Sequence, residues 1–387
     1  MAEKRIHVMD RNLKTIFVSV PTMEDYDYAA TIKHLFKNAK YPERVYVGSP
    51  IYLSDLDQLT DPEYKKFWVL DFDPPEGNYK SGFFKHADFF GVGRGRLNAL
   101  QYYNNEDYFF QIDSHMRFRK DWDVDIINEF EDCKTYFGER VLLGNYAPGF
   151  DVETGEDGDE VFTTRNENKY AFWLYDDRRS PHFPVGWDHT IYPGEQRHHS
   201  HGWIENRWLP AIKICAHNMF TDGPIWVNSY RTCLNEDLIF WGEELYQSAL
   251  AYMRGYEFCH SSTPYVYHRY AGTVTFVEEK DLGDLSFRTE DPSIINDAGG
   301  RDYFTETKKY PYKRWYSYKE RLAMESERIN SLITASNDEF GYLPRTFKGY
   351  LKYAGIDLEQ RKTKKAKHLP IVNPVFKKKE NKDEAKN

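Results

Sequence analysis

The residues of this chain best suited to chemistry stand at the ends of apolar runs. Tyr108–Ile112 (YFFQI) has the composition of a buried strand and runs straight into Asp113-Ser114-His115, with Arg117 just beyond. A buried carboxylate is costly unless it is paired or bound to a metal. In open α/β sheets, ligands bind beyond the carboxyl ends of the strands. Asp113 and His115, separated by one residue on an extended chain, point to the same side. Together they offer an oxygen and a nitrogen to one divalent ion, a set that suits Mn²⁺ or Mg²⁺ better than a thiolate-seeking metal. An N-cap aspartate beside a surface histidine gives the same pattern, so these residues alone leave both readings open.

Four further groups stand out. His268 ends a second short apolar run, Tyr265–Tyr267, at what should be the same rim, although a lone histidine there is often structural. Gly242-Glu243-Glu244 opens a helical pattern, where the helix dipole accounts for one carboxylate more readily than for two. Gly91-Val92-Gly93-Arg94-Gly95-Arg96 also opens a helix. Its glycines permit close backbone approach, the helix start favours phosphate, and its arginines can donate in pairs; it lacks the Lys-Ser/Thr of a P-loop and does not match GxGxxG. His198-His199-Ser200-His201 could bind zinc, but no cysteine or spaced carboxylate completes the set.

These groups need a scaffold, and the pattern supplies one. Thr15–Val20 reads as a strand, Ala29–Ala39 as a helix with Ile32, Leu35, Phe36 and Ala39 on one side, and Arg44–Gly48 as a second strand. That unit implies a parallel pair with a crossover helix. A helix from near Gly95, the strand Tyr108–Ile112, an amphipathic helix Asp123–Phe137 and a strand at Leu142-Leu143 continue the alternation, which is that of an α/β open sheet. From about 149 to 203 the pattern breaks into an acidic, Gly-rich and then Pro-, His- and Trp-rich stretch, read as a long insertion over one face of the sheet. Glu244–Met253 is a helix with Gly255 as its C-cap. Residues 272–310 read as an irregular crossing segment, and helices at Tyr316–Ile333 and Thr346–Ala354 finish the fold.

Composition sets the outer limits. With 387 residues and 40% hydrophobic content the chain can bury a full core. No apolar run approaches the roughly 20 residues that span a bilayer, and MAEKRIHVMDRN lacks a signal-peptide core. The four cysteines form no CxxC pair, so a reduced, cytoplasmic setting is expected. Residues 361–387 hold ten Lys/Arg against three Asp/Glu; the whole chain is −9, so residues 1–360 carry −16. A basic tail on an acidic body can reach a polyanion such as DNA, or be simply a solvated tail.

Taken in order, TIFVSV, RVYVG, RGRLNALQ, DYFFQIDSHMRF with DWD, FWGEEL, Arg254-Gly255-Tyr256 and YVYHRY resemble one family, polypeptide α-N-acetylglucosaminyltransferases of glycosyltransferase family 60, whose cytoplasmic members sugar a protein hydroxyproline. RINSLI and PRTFKGYLKYAGID are similar to that family's closing helices, so the resemblance covers about 14–130 and 203–357. It implies a GT-A fold, an α/β nucleotide-sugar-binding open sheet with helices on both faces and C-terminal helices; the basic tail has no counterpart in the family. The expected catalytic unit spans 1–360: a donor half at about 14–145, a loop-rich insertion at 149–203 without a counterpart in the family, an acceptor half at 204–271 and closing helices at 313–357. The resemblance implies that Asp113 and His115 stand in for a DxD motif, with Ser114 between them, and hold Mn²⁺ or Mg²⁺ with His268. Thr22 and Asp25 would meet the nucleoside of a UDP-sugar, Gly93, Arg94 and Arg96 the donor, and Glu243 or Glu244 the acceptor hydroxyl or the sugar. Transfer with retention of anomeric configuration is implied as well. The chain departs from the family at Pro21-Thr22-Met23-Glu24-Asp25, where a Ser-Tyr-Arg-like turn is usual, and at Arg94-Gly95-Arg96-Leu97, which replaces an Arg-Trp pattern.

The expected acceptor is a hydroxyl on a macromolecule. It is either a protein hydroxyl or 5-hydroxymethylcytosine in bacteriophage-type DNA; the basic tail and Arg117–Lys120 give the second some weight, and the two rank about equal. A duplex acceptor would have to flip its base out. The competing readings are a metal-dependent hydrolase using Asp113, His115 and the His198–His201 cluster, and a non-catalytic nucleotide-sugar-binding protein.

Overall fold

Strands apolar on both faces organise the protein. Its structure, a computed structural model, describes residues 13–53, 56–85, 91–144, 147–154, 160–165, 209–211, 214–230, 238, 243–261, 263–269, 331–332, 335, 342–357 and 362–363. In chain order the main elements are β1 (Ile16–Ser19), β2 (Thr22–Met23), α1 (Tyr28–Asn38), β3 (Val45–Leu53), α2 (Pro62–Lys65), β4 (Tyr79–Lys85), α3 (Val92–Ala99), β5 (Tyr108–Ile112), β6 (Met116–Phe118), α4 (Trp122–Phe137), β7 (Val141–Gly144), β8 (Gly149–Thr154), β9 (Glu160–Arg165), β10 (Leu209–Pro210), β11 (Asn218–Asp222), α5 (Gly223–Tyr230), α6 (Glu243–Met253), β12 (Glu257–His260), β13 (Val266–His268) and α7 (Phe347–Ala354). Most of the helix expected at 316–333, the segment 272–310, the cluster 198–201 and nearly all of the basic tail lie outside the described residues.

Nine described strands form the main sheet, in the order β10-β12-β7-β11-β5-β1-β3-β2, with β4 also on β3. The expected unit is present: β1 pairs in parallel with β3, Ile16 opposite Val45, and with β5, Ile16 opposite Tyr108. Only β11 and β10 run against their neighbours. Alternation along each strand sorts side chains into two cores. Ile16, Val18, Tyr108, Phe110, Ile112, Val141, Leu143 and Phe220 face Ile32 and Leu35 of α1 and Ile126 and Phe130 of α4. Phe17, Phe109, Leu142, Met219 and Phe258 face Trp226 of α5, Leu245 and Tyr246 of α6, and Phe347 and Tyr350 of α7. Helices on both faces explain why these strands read as unbroken apolar runs. No helix among the described residues is long and apolar enough to cross a membrane.

A second sheet, β6-β13-β8-β9, positions the functional residues. Three parallel strands of the main sheet, β5, β7 and β12, each hand the chain over to it at their carboxyl ends, to β6, β8 and β13 respectively. The β8–β9 hairpin, paired from Gly149 opposite Arg165 to Thr154 opposite Glu160, corrects the reading of an irregular stretch from 149. The acidic, Gly-rich sequence here obscures two strands that alternation alone does not reveal. Gly255 takes φ +87 and Tyr256 N donates to Ala251 O, which ends α6 as expected of a glycine C-cap. Gly144 permits another close approach: a Cβ there would meet Asn218 O at 2.0 Å, so the glycine brings the start of β11 against the end of β7.

His260, which ends β12, is buried, and burial pushes its pKa down from the ordinary 6.5 to about 4. The folded chain keeps this imidazole neutral over a range in which the unfolded chain takes up a proton. Its contribution to stability is therefore complete above pH 6.5 and is lost as pH falls toward 4. Urea unfolding followed across that range is expected to show stability falling with acid, and His260→Gln should make the slope shallower by up to one proton.

Candidate active site

Asp113-Ser114-His115 is the passage between the two sheets. Ile112 ends β5 in the main sheet and Met116 opens β6 in the small one. In β6, Met116 lies opposite His268 of the antiparallel β13, and Arg269 N donates to His115 O at 3.1 Å. Pairing across about 150 residues of sequence thus sets His268 beside His115. His115 Nε2 and His268 Nε2 are 3.1 Å apart, His268 Nε2 lies 3.4 Å from Asp113 Oδ2, and His115 Nε2 lies 4.0 Å from it. All three ligand atoms fall within 4.8 Å of one another.

The spacing suits a divalent cation. Two ligands about 2.1 Å from an octahedral ion and at right angles are about 3 Å apart. The three pairs, at 3.1, 3.4 and 4.0 Å, run from that spacing upward, and a set of one carboxylate oxygen and two imidazole nitrogens leaves other coordination positions open. Asp113 is partly exposed, with 29% of its side chain accessible, so the cluster opens outward rather than into the core.

Arg96 holds the group together from behind. It projects from α3, is buried, and donates from Nη1 to Ile112 O at 2.7 Å and from Nη2 to Asp113 Oδ1 at 3.0 Å and Ala216 O at 3.2 Å. Its Nε meets Glu243 Oε1 at 3.2 Å, which also accepts from Gln247 Nε2 at 2.8 Å. Burial pushes the Asp113 carboxyl up, but the His268 hydrogen bond and the Arg96 charge outweigh it and hold the group well below the usual carboxylate range. Burial acts on Glu243 in the same direction and prevails over Arg96, pushing it up to about 7. His268 is lowered by burial, against its hydrogen bond to the Asp113 carboxylate, and so favours the neutral imidazole that a metal requires.

The other candidate residues are accounted for individually. Glu244 is buried and accepts from Ala216 N at 2.9 Å. Ser114 Oγ donates to Asp25 Oδ2 at 2.7 Å, and His115 Nδ1 meets the same oxygen at 2.5 Å. Thr22 is buried opposite Ile51, and its hydroxyl has no protein partner among the described residues. Gly93 N donates to Leu238 O at 2.9 Å, and Arg94 is half-buried on α3.

Cys215 and His217 are the site neighbours that sequence reasoning missed. β11 runs antiparallel to β5, with Asn218 opposite Ile112, so the residues before this strand reach the rim that the ends of the parallel strands define. The ring of His217 packs on that of His268, centroids 4.1 Å apart. Cys215, His217 and Glu244 bring their ligand atoms within 4.8 Å in a fully buried cluster. Within it His217 Nε2 accepts from Ala147 N at 3.3 Å, so both this imidazole and Glu244 already receive backbone N–H groups. The available signal was a Cys-x-His directly ahead of a strand.

Arg117 departs from the expected polyanion contact. It is fully buried in β6 and grips Asp27 with Nη1 to Oδ2 at 3.0 Å and Nη2 to Oδ1 at 2.8 Å, while its guanidinium covers the Phe150 ring at 5.0 Å. Of that stretch, only Arg119 and Lys120 are exposed.

A family model described as Glycosyltransferase (GlcNAc) matches residues 86–360, more than half of the chain. No curated protein sequence matches. Among solved structures, GalNAc-T7 with UDP, GalNAc and Mn²⁺ is similar at 15% identity and a TM-score of 0.42, over 67% of this chain and 45% of that one. TarS 1–349 of S. aureus is similar at 13% identity and a TM-score of 0.37, over 66% of this chain and 60% of that one. The chain thus spans less than two thirds of either.

Removing Arg117 from its buried pair leaves Asp27 the longer ion pair with Arg269 at 3.6 Å. Arg117→Ala is expected to cost about 3–5 kcal/mol, read as a lowered urea midpoint. A variant as stable as the parent would contradict this structural role.

Proposed function

Because the chain belongs to the Glycosyltransferase (GlcNAc) family, it is a sugar transferase, and we propose that it moves a sugar from a UDP-sugar to a macromolecular hydroxyl, with Mn²⁺ or Mg²⁺ held by Asp113, His115 and His268. The observation that carries this reading is the convergence of those three ligand atoms at the carboxyl ends of the strands. Cleaving the bond between the anomeric carbon and phosphate leaves a nucleoside diphosphate with growing negative charge. A bound divalent ion offsets that charge.

The protein's own groups prepare the site. Arg96 occupies Asp113 Oδ1 and leaves Oδ2 directed at the histidines. Glu243 and Gln247 brace Arg96, and Glu244 fixes the Ala216 peptide. These contacts support a framework role for the two glutamates instead of direct contact with the acceptor. We assign Arg94 to the diphosphate and Thr22, whose buried hydroxyl has no partner among the described residues, to the nucleoside side. Retention of configuration follows from the family resemblance, and an NMR assignment of the product anomer tests it.

For the acceptor we favour a protein hydroxyl such as hydroxyproline. The burial of Arg117 removes one feature that had supported a DNA base. A gel shift with duplex DNA across a salt series separates the two: affinity that falls steeply with salt would restore the DNA acceptor.

The decisive experiment is a donor screen with Mn²⁺ and UDP-, GDP- and ADP-sugars, followed by release of diphosphate. UDP release is expected. Asp113→Ala and His268→Ala should each lower it by about 100-fold or more, and release unchanged by Asp113→Ala would overturn the reading.

A further inference from the structure

We infer that Asp25 is the positioning residue for the metal ligand His115 and not a nucleoside contact; this rests on the metal-dependent reading above. Asp25 lies just after β2, 88 residues before Asp113 in sequence, and is buried. A carboxylate in such a place needs hydrogen-bond donors. Oδ1 accepts from Asp27 N at 3.1 Å. Oδ2 accepts from Ser114 Oγ at 2.7 Å and lies 2.5 Å from His115 Nδ1.

The chemical consequence concerns the proton on His115. An ionised carboxylate can only accept, so the hydrogen between the two groups sits on Nδ1. Nε2 then carries a lone pair, and Nε2 is the atom that faces His268 Nε2 at 3.1 Å and Asp113 Oδ2 at 4.0 Å. Ligating histidines generally donate their other N–H to a carboxylate or carbonyl, which fixes tautomer and ring orientation and makes the ligating nitrogen more basic. Asp25 stands where such a partner belongs.

The same carboxylate also fixes the backbone between the two ligands. Ser114 separates Asp113 from His115 and points the other way, onto Asp25. Thr31 Oγ1 of α1 completes the clamp, donating to Ser114 O at 2.8 Å and accepting from Met116 N at 2.9 Å. A nucleoside amide or ribose hydroxyl at Asp25 would have to displace donors that already hold the metal ligands in place.

Two measurements on the full-length protein test this. Mn²⁺ is titrated in the presence of UDP and the free ion followed by electron paramagnetic resonance, for the wild type and Asp25→Asn. UDP is titrated separately in chelator. The account expects Mn²⁺ affinity of Asp25→Asn to fall 10–100-fold, with metal-free UDP affinity within about twofold of wild type. Unchanged Mn²⁺ affinity, or a loss confined to metal-free UDP binding, would overturn the inference and return Asp25 to the nucleoside. A wild-type protein that binds no Mn²⁺ would sink the metal reading itself, an outcome distinct from either. If Asp25→Asn does not fold, long-range ¹⁵N–¹H correlation on the wild type is decisive: His115 should be in the Nδ1–H form, and the Nε2–H form contradicts the inference.

Discussion

Three electron-pair donors that point at one another are unstable neighbours unless a proton or a cation lies among them. Asp113 Oδ2, His115 Nε2 and His268 Nε2 are such a group. Everything around them resists their separation. Arg96 pins the carboxylate, Asp25 and Ser114 pin the first imidazole, and the β6–β13 pairing fixes the second. Burial lowers the pKa of His268, which discourages a proton from taking the central position. Three ligand atoms held this close, with Asp113 and His268 both biased against a proton, support the proposed cation.

The fold makes this possible through its hand-over between sheets. A single large sheet would end β5 in a loop, where side chains scatter. Here β5, β7 and β12 all continue into a second sheet, and the short bridge at 113–115 is held at both ends by strand hydrogen bonds. The buried Arg117–Asp27 pair lies beneath that bridge and ties β6 to the start of α1. Replacing a buried ion pair by apolar residues often costs little stability. Its value here is geometric, since it fixes β6 against the start of α1.

Much of the scaffold was legible because it obeys local rules. β1 and β5 are buried on both faces, so their residues read as apolar runs, and α1 and α4 present apolar residues at helical spacing to one of those faces. Asp113, His115 and His268 were visible because the first pair shares one strand end and the third ends another short strand. What stayed hidden depends on partners distant in sequence. Arg96 and Arg117 look alike as donors for an anion until Asp113, Glu243 and Asp27 are seen to occupy them. Asp25 belongs to His115, across 90 residues. His217 precedes a strand that runs the opposite way, and strand direction is a property of the sheet.

The central claim is that the native state holds a divalent ion through Asp113, His115 and His268. Ligand that binds only the folded state raises the unfolding temperature by mass action. The most direct measurement is therefore thermal unfolding of the full chain with and without Mn²⁺ at saturating UDP, for the wild type and for His268→Ala. The account predicts a metal-dependent rise in Tm for the wild type and none for the variant. No rise in the wild type, or an equal rise in both, would contradict it.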